Sequence, residues 1–389
     1  MSQPIATFSH MRGGMRERSP GVWEVRAEAG RDPVTGRRRQ LSRTVRGTKR
    51  AAQKTLNALV SELDQGNHVG TDATFKDVTD RWLMISGADL SPTTLRRYRQ
   101  LLDQHILPAL GNRAAHKIRT SDLDDLYLGL VHPTGLSPAT VRQVHSVVRR
   151  AMSQAVRWGW ISTNPAANTS PPRVTKPAIS PPEVEKVIEL LQLADETYPE
   201  FGRFLHLAVT TGARRGELCA LKWERIDWEA QTLTIARAIV EVEGGILEKS
   251  TKTHAVRRIA LDERTLVVLA EHRRQSEKLA AEAGSTLTGD SYVFTFDPGG
   301  AVPFTPDHAT KTFQRLRKQV GLERTRLHDL RHFAATRLLA AGVPVRTVSG
   351  RLGHANAATT LGVYAHFVEA SDRAAAETMA STLTRQAGR

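Results

Sequence analysis

The 389-residue chain carries 55 lysines and arginines against 40 acids, a formal charge of +15 and an isoelectric point near 10.4. Such a surplus points to a polyanionic partner, nucleic acid before an acidic membrane surface, and no stretch approaches the roughly 18 apolar residues of a spanning helix, so a soluble chain is expected. The amino terminus has no apolar run of signal-peptide length, and Cys219 is the single cysteine. This predicts a cytoplasmic protein of two or three domains without disulfides or a cysteine metal cluster, in which Cys219 is a small buried hydrophobe.

From Gly13 to Val45 the pattern is short, alternating and punctuated by glycine, as in Val22-Trp23-Glu24-Val25-Arg26-Ala27. It predicts a small antiparallel sheet of two or three strands, followed by a helix from about Thr48 with Ala52, Leu56, Leu59, Val60 and Leu63 on its apolar face. Between Arg12 and Arg50 twelve cations stand against four acids. A β-ribbon fits the major groove of DNA, so Arg37, Arg38, Arg39 and Arg43 are candidate DNA contacts. Gly66 to Thr74 is polar and reads as a linker.

Helices are predicted next around Phe75, Val78, Trp82 and Leu83, and from Ser91-Pro92 through Leu95, Tyr98, Leu101 and Leu102 to Gly111. Two more follow, one from Thr120 with Leu123, Leu126 and Leu128, and one from Ser137-Pro138 with Val144, Val147, Val148, Met152, Ala155 and Val156. Arg96, Arg97, Arg99, Arg142, Arg149 and Arg150 of this all-helical stretch are candidates for phosphate contacts. The proline-rich segment Asn168 to Pro182 predicts an extended interdomain linker, which would let two domains clamp a duplex.

Beyond it, Pro182 to Leu193 and Tyr198 to Thr210 read as helices. Thr232 to Ala238, Gly245 to Lys249 and Val256 to Leu261 alternate as strands of one small sheet, with Lys252 in its last turn. Further helices are predicted at Arg264 to Ala283, Pro306 to Val320 and His328 to Ala341. His328 and Arg331, three apart, share a helix face and can reach a single anion, with Leu330, Phe333, Ala334 and Leu338 left for the core. His354 and Tyr364 lie ten positions apart, about 15 Å on one straight helix, so the helix must break for both to serve one substrate. Gly353 is the predicted stop and Asn356 the predicted cap of the next helix. A tyrosine hydroxyl beside two bases and an arginine is a candidate nucleophile.

These residues, in this order, resemble the tyrosine recombinase (phage integrase) family. Thr210-Thr211-Gly212-Ala213-Arg214-Arg215-Gly216-Glu217-Leu218 resembles its first arginine box, and Thr251-Lys252-Thr253 with Arg257-Arg258 its lysine hairpin. Leu327-His328-Asp329-Leu330-Arg331-His332, then Leu352-Gly353-His354, then Val363-Tyr364, resemble the three boxes that follow. The fold implied is multidomain and mainly α. It comprises a three-stranded sheet plus helix as an arm-type DNA-binding domain (1–66), a helical core-binding domain (73–167), and a catalytic domain with a small antiparallel sheet (178–389).

The resemblance implies a catalytic set of Arg214, Lys252, His328, Arg331, His354 and Tyr364, with Tyr364 as nucleophile and no cofactor. Glu217 matches a buried acid that orients arginines, and Arg215 faces elsewhere. The partners implied are double-stranded DNA at core and arm sites and three further copies of the chain in a synaptic tetramer. A directionality factor and a DNA-bending host protein join them, and the tail from Val368 to Leu383 docks on a neighbouring protomer. There is no membrane partner.

Three other readings compete. His328 and His332 have the spacing of a helical metal pair, and with His354 or His366 suggest a zinc hydrolase. The glutamate of that motif is missing, however, and the adjacent arginine repels a cation. A type IB topoisomerase-like relaxing enzyme shares the chemistry but has no need of a second DNA-binding domain. A non-catalytic DNA-binding protein has no need of a tyrosine at 364.

Overall fold

The computed structural model describes residues 13–32, 36, 38–64, 71–175, 181–250, 256–353, 376, 377, 379 and 380. Contacts within the chain divide it into two compact units, 1–176 and 177–389.

The first unit holds two hydrophobic clusters. Strands β1 (Gly13–Ser19), β2 (Val22–Arg31) and β3 (Arg38–Arg46) form one antiparallel sheet in that order. Alternation along β2 sends Val25 and Ala27 inward, beside Met15, Trp23, Leu41 and Val45. Helix α1 (Lys49–Asp64) closes this face with Ala52, Leu56 and Leu59, as its spacing predicts.

The second cluster is built by α2 (Phe75–Ser86), α3 (Pro92–Leu101), α4 (Leu107–Leu110), α5 (Thr120–Val131) and α6 (Pro138–Arg157). Serines 91 and 137 cap α3 and α6, each followed by a proline in the first turn. The helix expected to run on to Gly111 widens into a π turn at Leu102–Ile106, because Pro108 has no N–H to continue the ladder. On α5 the expected Leu128 is 63% exposed, and Tyr127 takes the core position between Leu123 and Leu130.

Both expected linkers prove partly anchored at their described ends. Thr71 and Ala73 are buried, and the Thr71 hydroxyl and Asp72 N–H each donate to the buried Asp32 carboxylate at 2.9 Å. Thr74 then caps α2 in a reciprocal box with Asp77. Beyond 167, Ser170 N–H donates to Asp124 and the Pro172 carbonyl accepts from Arg142.

The second unit packs α7 (Val184–Thr197), α8 (Pro199–Thr211), the short α9 (Arg215–Cys219), α10 (Glu263–Glu282) and α11 (Pro306–Gln319) around a core that includes Phe313 and the contacting rings of Phe201, Phe204, Phe294 and Phe304. Cys219 is buried there, as expected.

The single sheet expected of this unit is two. β5 (Thr232–Ile235) pairs with β4 (Ile226–Asp227) and β8 (Arg257–Ala260), while among the described residues β6 (Arg237–Val242) pairs with β7 (Gly245–Ser250) alone. The ladder changes partner at Ala236, and alternation of side chains carries no record of which strand lies alongside. Helices α12 (Asp329–Ala340) and α13 (Val345–Leu352) follow, with Ala335, Val348 and Leu352 buried between them.

One buried group in this core predicts acid lability. His272 is 3% exposed, its Nε2 bonds the Val293 carbonyl at 2.7 Å, and burial depresses its pKa to about 4. The folded state therefore favours the neutral ring, while the unfolded chain takes up a proton below its ordinary value near 6.5. The stability this group contributes is complete above about pH 6.5 and is lost as pH falls towards 4, by about 3 kcal/mol at most. Denaturant unfolding between pH 7 and 4 should show a smaller acid loss for His272→Gln than for wild type; equal losses would contradict the assignment.

Candidate active site

The first arginine box forms where α8 ends. Gly212 takes a left-handed conformation (φ +63°), and a β-carbon there would lie 2.5 Å from Leu352 Cδ2, so the turn requires glycine on both grounds. Past this turn Arg214 caps α9. Glu217, third in the helix, reaches back to accept the Arg214 backbone N–H at 2.8 Å and its guanidinium at 2.8 Å. Arg215 points away towards Thr310, as expected.

Arg331 enters from α12. It is buried, and its Nη1 donates to the Gly212 carbonyl at 2.7 Å, which ties the two arginine boxes together across 119 positions of sequence. His328 stands at the N-cap position of the same helix, one turn before Arg331. Its outer edge is open to solvent, yet surrounding protein first, then His332 and Arg331, and more weakly Arg214, push its pKa down to about 4. The imidazole is therefore neutral at pH 7 and free to take a proton. His332 meets it edge-on, with ring centres 5.0 Å apart.

Arg214, His328 and Arg331 thus converge from α8–α9 and α12. Lys252, His354, Tyr364 and His366 lie outside the described residues, as do the expected cap Asn356 and nearly all of the C-terminal tail. The predicted helix stop is present, with α13 ending in Gly353 at φ +70°.

One residue quoted with the lysine hairpin was given no role by the motif. Arg257 on β8 is buried and forks onto Glu217, at 2.6 Å to Oε2 and 3.1 Å to Oε1. Burial alone would raise the Glu217 carboxyl, but the hydrogen bonds and charges of Arg257 and then Arg214 hold it below the usual carboxylate range. The available signal was an arginine at an inward position of a strand that alternates buried and exposed.

The candidate DNA contacts fare differently. Arg38 pairs with Glu28 on the open face of the sheet, whereas Arg43 is in register with Val25, on the helix side, and pairs with Glu62 of α1 at 2.9 Å. Arg37 and the side chain of Arg39 are outside the described residues. In the helical cluster Arg97 holds Gln143, Arg142 holds the Pro172 carbonyl, and Arg96 and Arg149 are exposed. Arg149, Arg150 and Arg157 line a groove with Trp82 and His145, and Arg150 lies over the Tyr98 ring.

Among known proteins, the phage integrase family matches residues 180–371, and the phage integrase N-terminal SAM-like domain matches residues 74–131. A tyrosine recombinase XerC-like protein of Caldanaerobacter subterraneus is 26% identical over 360 residues, covering 85% of this chain and 89% of the relative. The ICEBs1 integrase of Bacillus subtilis is 25% identical, covering 89% and 93%. The fold is shared with the Tn1549 transposon integrase in complex with circular-intermediate DNA (TM-score 0.68, 22% identity, 79% of this chain and 99% of that one). It is also shared with the lambda integrase tetramer bound to a Holliday junction (TM-score 0.54, 19% identity, 89% and 94%). With both family models matched in chain order, and with Arg214, His328 and Arg331 drawn together, the chain belongs to the phage integrase family of tyrosine recombinases, site-specific enzymes that cleave and rejoin DNA.

Proposed function

We propose that the chain integrates or excises a mobile DNA element such as a prophage by site-specific strand exchange, with Tyr364 as nucleophile. The observation that carries this reading is the junction of Arg331 with the Gly212 turn, two residues from Arg214, beside a neutral His328. On this reading the two guanidiniums, from distant boxes, would share one anion, which suits a scissile phosphate whose charge grows as it is attacked.

In the reaction proposed, the Tyr364 oxygen attacks phosphorus and the bond to the 5′-oxygen breaks. His328 accepts the tyrosine proton, Lys252 gives one to the leaving 5′-oxygen, and His354 hydrogen-bonds the phosphate. The 3′-phosphotyrosyl bond conserves the energy of the phosphodiester, so attack by the 5′-hydroxyl of another strand rejoins DNA without ATP. Neither metal nor cofactor takes part.

Residues 1–66 would read arm sites, 73–167 and 178–389 the core site, with Arg38, Arg96, Arg97, Arg142 and Arg149 among the phosphate contacts. Four chains would assemble on two duplexes in the cytoplasm, assisted by a directionality factor and a DNA-bending host protein. The test is to incubate the protein with DNA spanning the borders of its element, quench with detergent, and map any covalent adduct by peptide sequencing. An adduct at Tyr364 supports the reading; binding without an adduct on DNA that contains a recombined junction overturns it. A chain lacking residues 1–66 should still cleave the core site while integrating poorly, and undiminished integration would contradict the arm role.

A further inference from the structure

The candidate nucleophile and the last histidine of the set both follow Gly353 in sequence, so the placement of that turn decides where they begin. Its backbone is held from two sides. Arg214 Nη2 donates to the Gly353 carbonyl at 3.2 Å, and Arg257 Nε donates to the Arg351 carbonyl at 3.0 Å. Both accept at the end of α13, where carbonyls lack helical partners and the helix dipole favours cations.

Gly353 also lies against the Arg257 guanidinium. A β-carbon at 353 would stand 2.9 Å from Nη1 and 3.0 Å from Cδ, in addition to opposing the left-handed backbone. The rest of the Arg257 fork is spent on Glu217, whose two oxygens it shares with Arg214: Oε1 takes a guanidinium nitrogen from each arginine, and Oε2 takes Nη2 of Arg257 and the Arg214 backbone N–H. Arg351 fastens the same helix end outward, to the carbonyls of Ala260 and Thr210.

We propose that Arg257 is a positioning residue that locks the Gly353 turn to the Glu217–Arg214 pair, and so sets both the aim of Arg214 and the point from which His354 and Tyr364 depart. Its side chain is only 8% exposed, so it acts through these neighbours and not through DNA. A buried ion pair is weak evidence of a stabilising role, since breaking even with apolar packing is common. What distinguishes this one is that its donors are divided between a carboxylate shared with a substrate-facing arginine and the main chain of the neighbouring helix end. A lysine keeps the charge but presents no planar fork, so it cannot serve both.

The consequence for cleavage rests on the recombinase reading, whereas the lock itself can be tested without it. In full-length Arg257→Met and Arg257→Lys proteins, hydrogen exchange should quicken at Leu352 and Gly353, with the phenylalanine core of the same unit unchanged. Cleavage at saturating DNA should slow by about tenfold to a hundredfold for Met and less for Lys, the range for losing charged hydrogen bonds, while DNA affinity stays within about twofold. If Met does not fold, Lys alone decides. Wild-type exchange at 352–353, or exchange raised evenly across the unit with affinity and rate falling together, overturns the proposal. If wild type forms no adduct, the recombinase reading fails, and the exchange result still decides the lock.

Discussion

Phenylalanine at position 364 should abolish the covalent protein–DNA adduct while leaving DNA affinity within about twofold, because the change removes one oxygen and no charge. The reasoning is chemical. A phenol with a pKa near 10 attacks phosphorus only as its proton departs, and no neighbouring group can replace an oxygen that becomes part of the intermediate. His328 is neutral at pH 7, so a ring nitrogen is available for that proton, although the surrounding protein and adjacent cations, which push its pKa to about 4, also make it a weaker base than an ordinary imidazole. Detergent-quenched gels of wild type and Tyr364→Phe on the same junction DNA provide the comparison. An adduct of unchanged yield in the variant would remove Tyr364 from the mechanism and direct the search to another nucleophile.

Alanine at Arg331 or Arg214 should slow cleavage at saturating DNA by at least about a hundredfold, the scale of removing one donor aimed at developing charge. The two should differ in their effect on folding. Arg331 is 3% exposed and bonded to the Gly212 carbonyl, so its loss also leaves a cavity and an unpaired carbonyl in the interior. Arg214 keeps a third of its side chain in solvent, and its loss leaves Glu217 still paired with Arg257. Arg214→Ala should therefore melt close to wild type and Arg331→Ala below it, with both deficient in single-turnover cleavage. Wild-type cleavage by either variant would end its assigned role.

Much of the fold was readable because its signals are local. Serines 91 and 137 before prolines announce their helices, period-two alternation marks the N-terminal sheet, and Gly353 ends α13 as a left-handed cap. Hydrogen bonding to the next few residues is encoded by those residues themselves. What was misread depends on partners far away in sequence. One expected sheet is two, and Leu128 faces solvent where Tyr127 is buried.

The same division runs through the site. By itself the sequence determined the ordered set Arg214, Lys252, His328, Arg331, His354 and Tyr364, and with it the family and the class of chemistry, because residue types and their order along the chain are what a motif consists of. The resemblance also implied that Glu217 is a buried acid, and it is buried. Only the tertiary structure decided that Arg257 shares that acid with Arg214, that Gly212 accepts from Arg331, and that Arg43 turns towards α1. Each is a contact between segments that nothing local relates, made where packing brings them together. The buried charges among them, Arg257, Glu217 and Arg331, are tolerated because each meets a partner there.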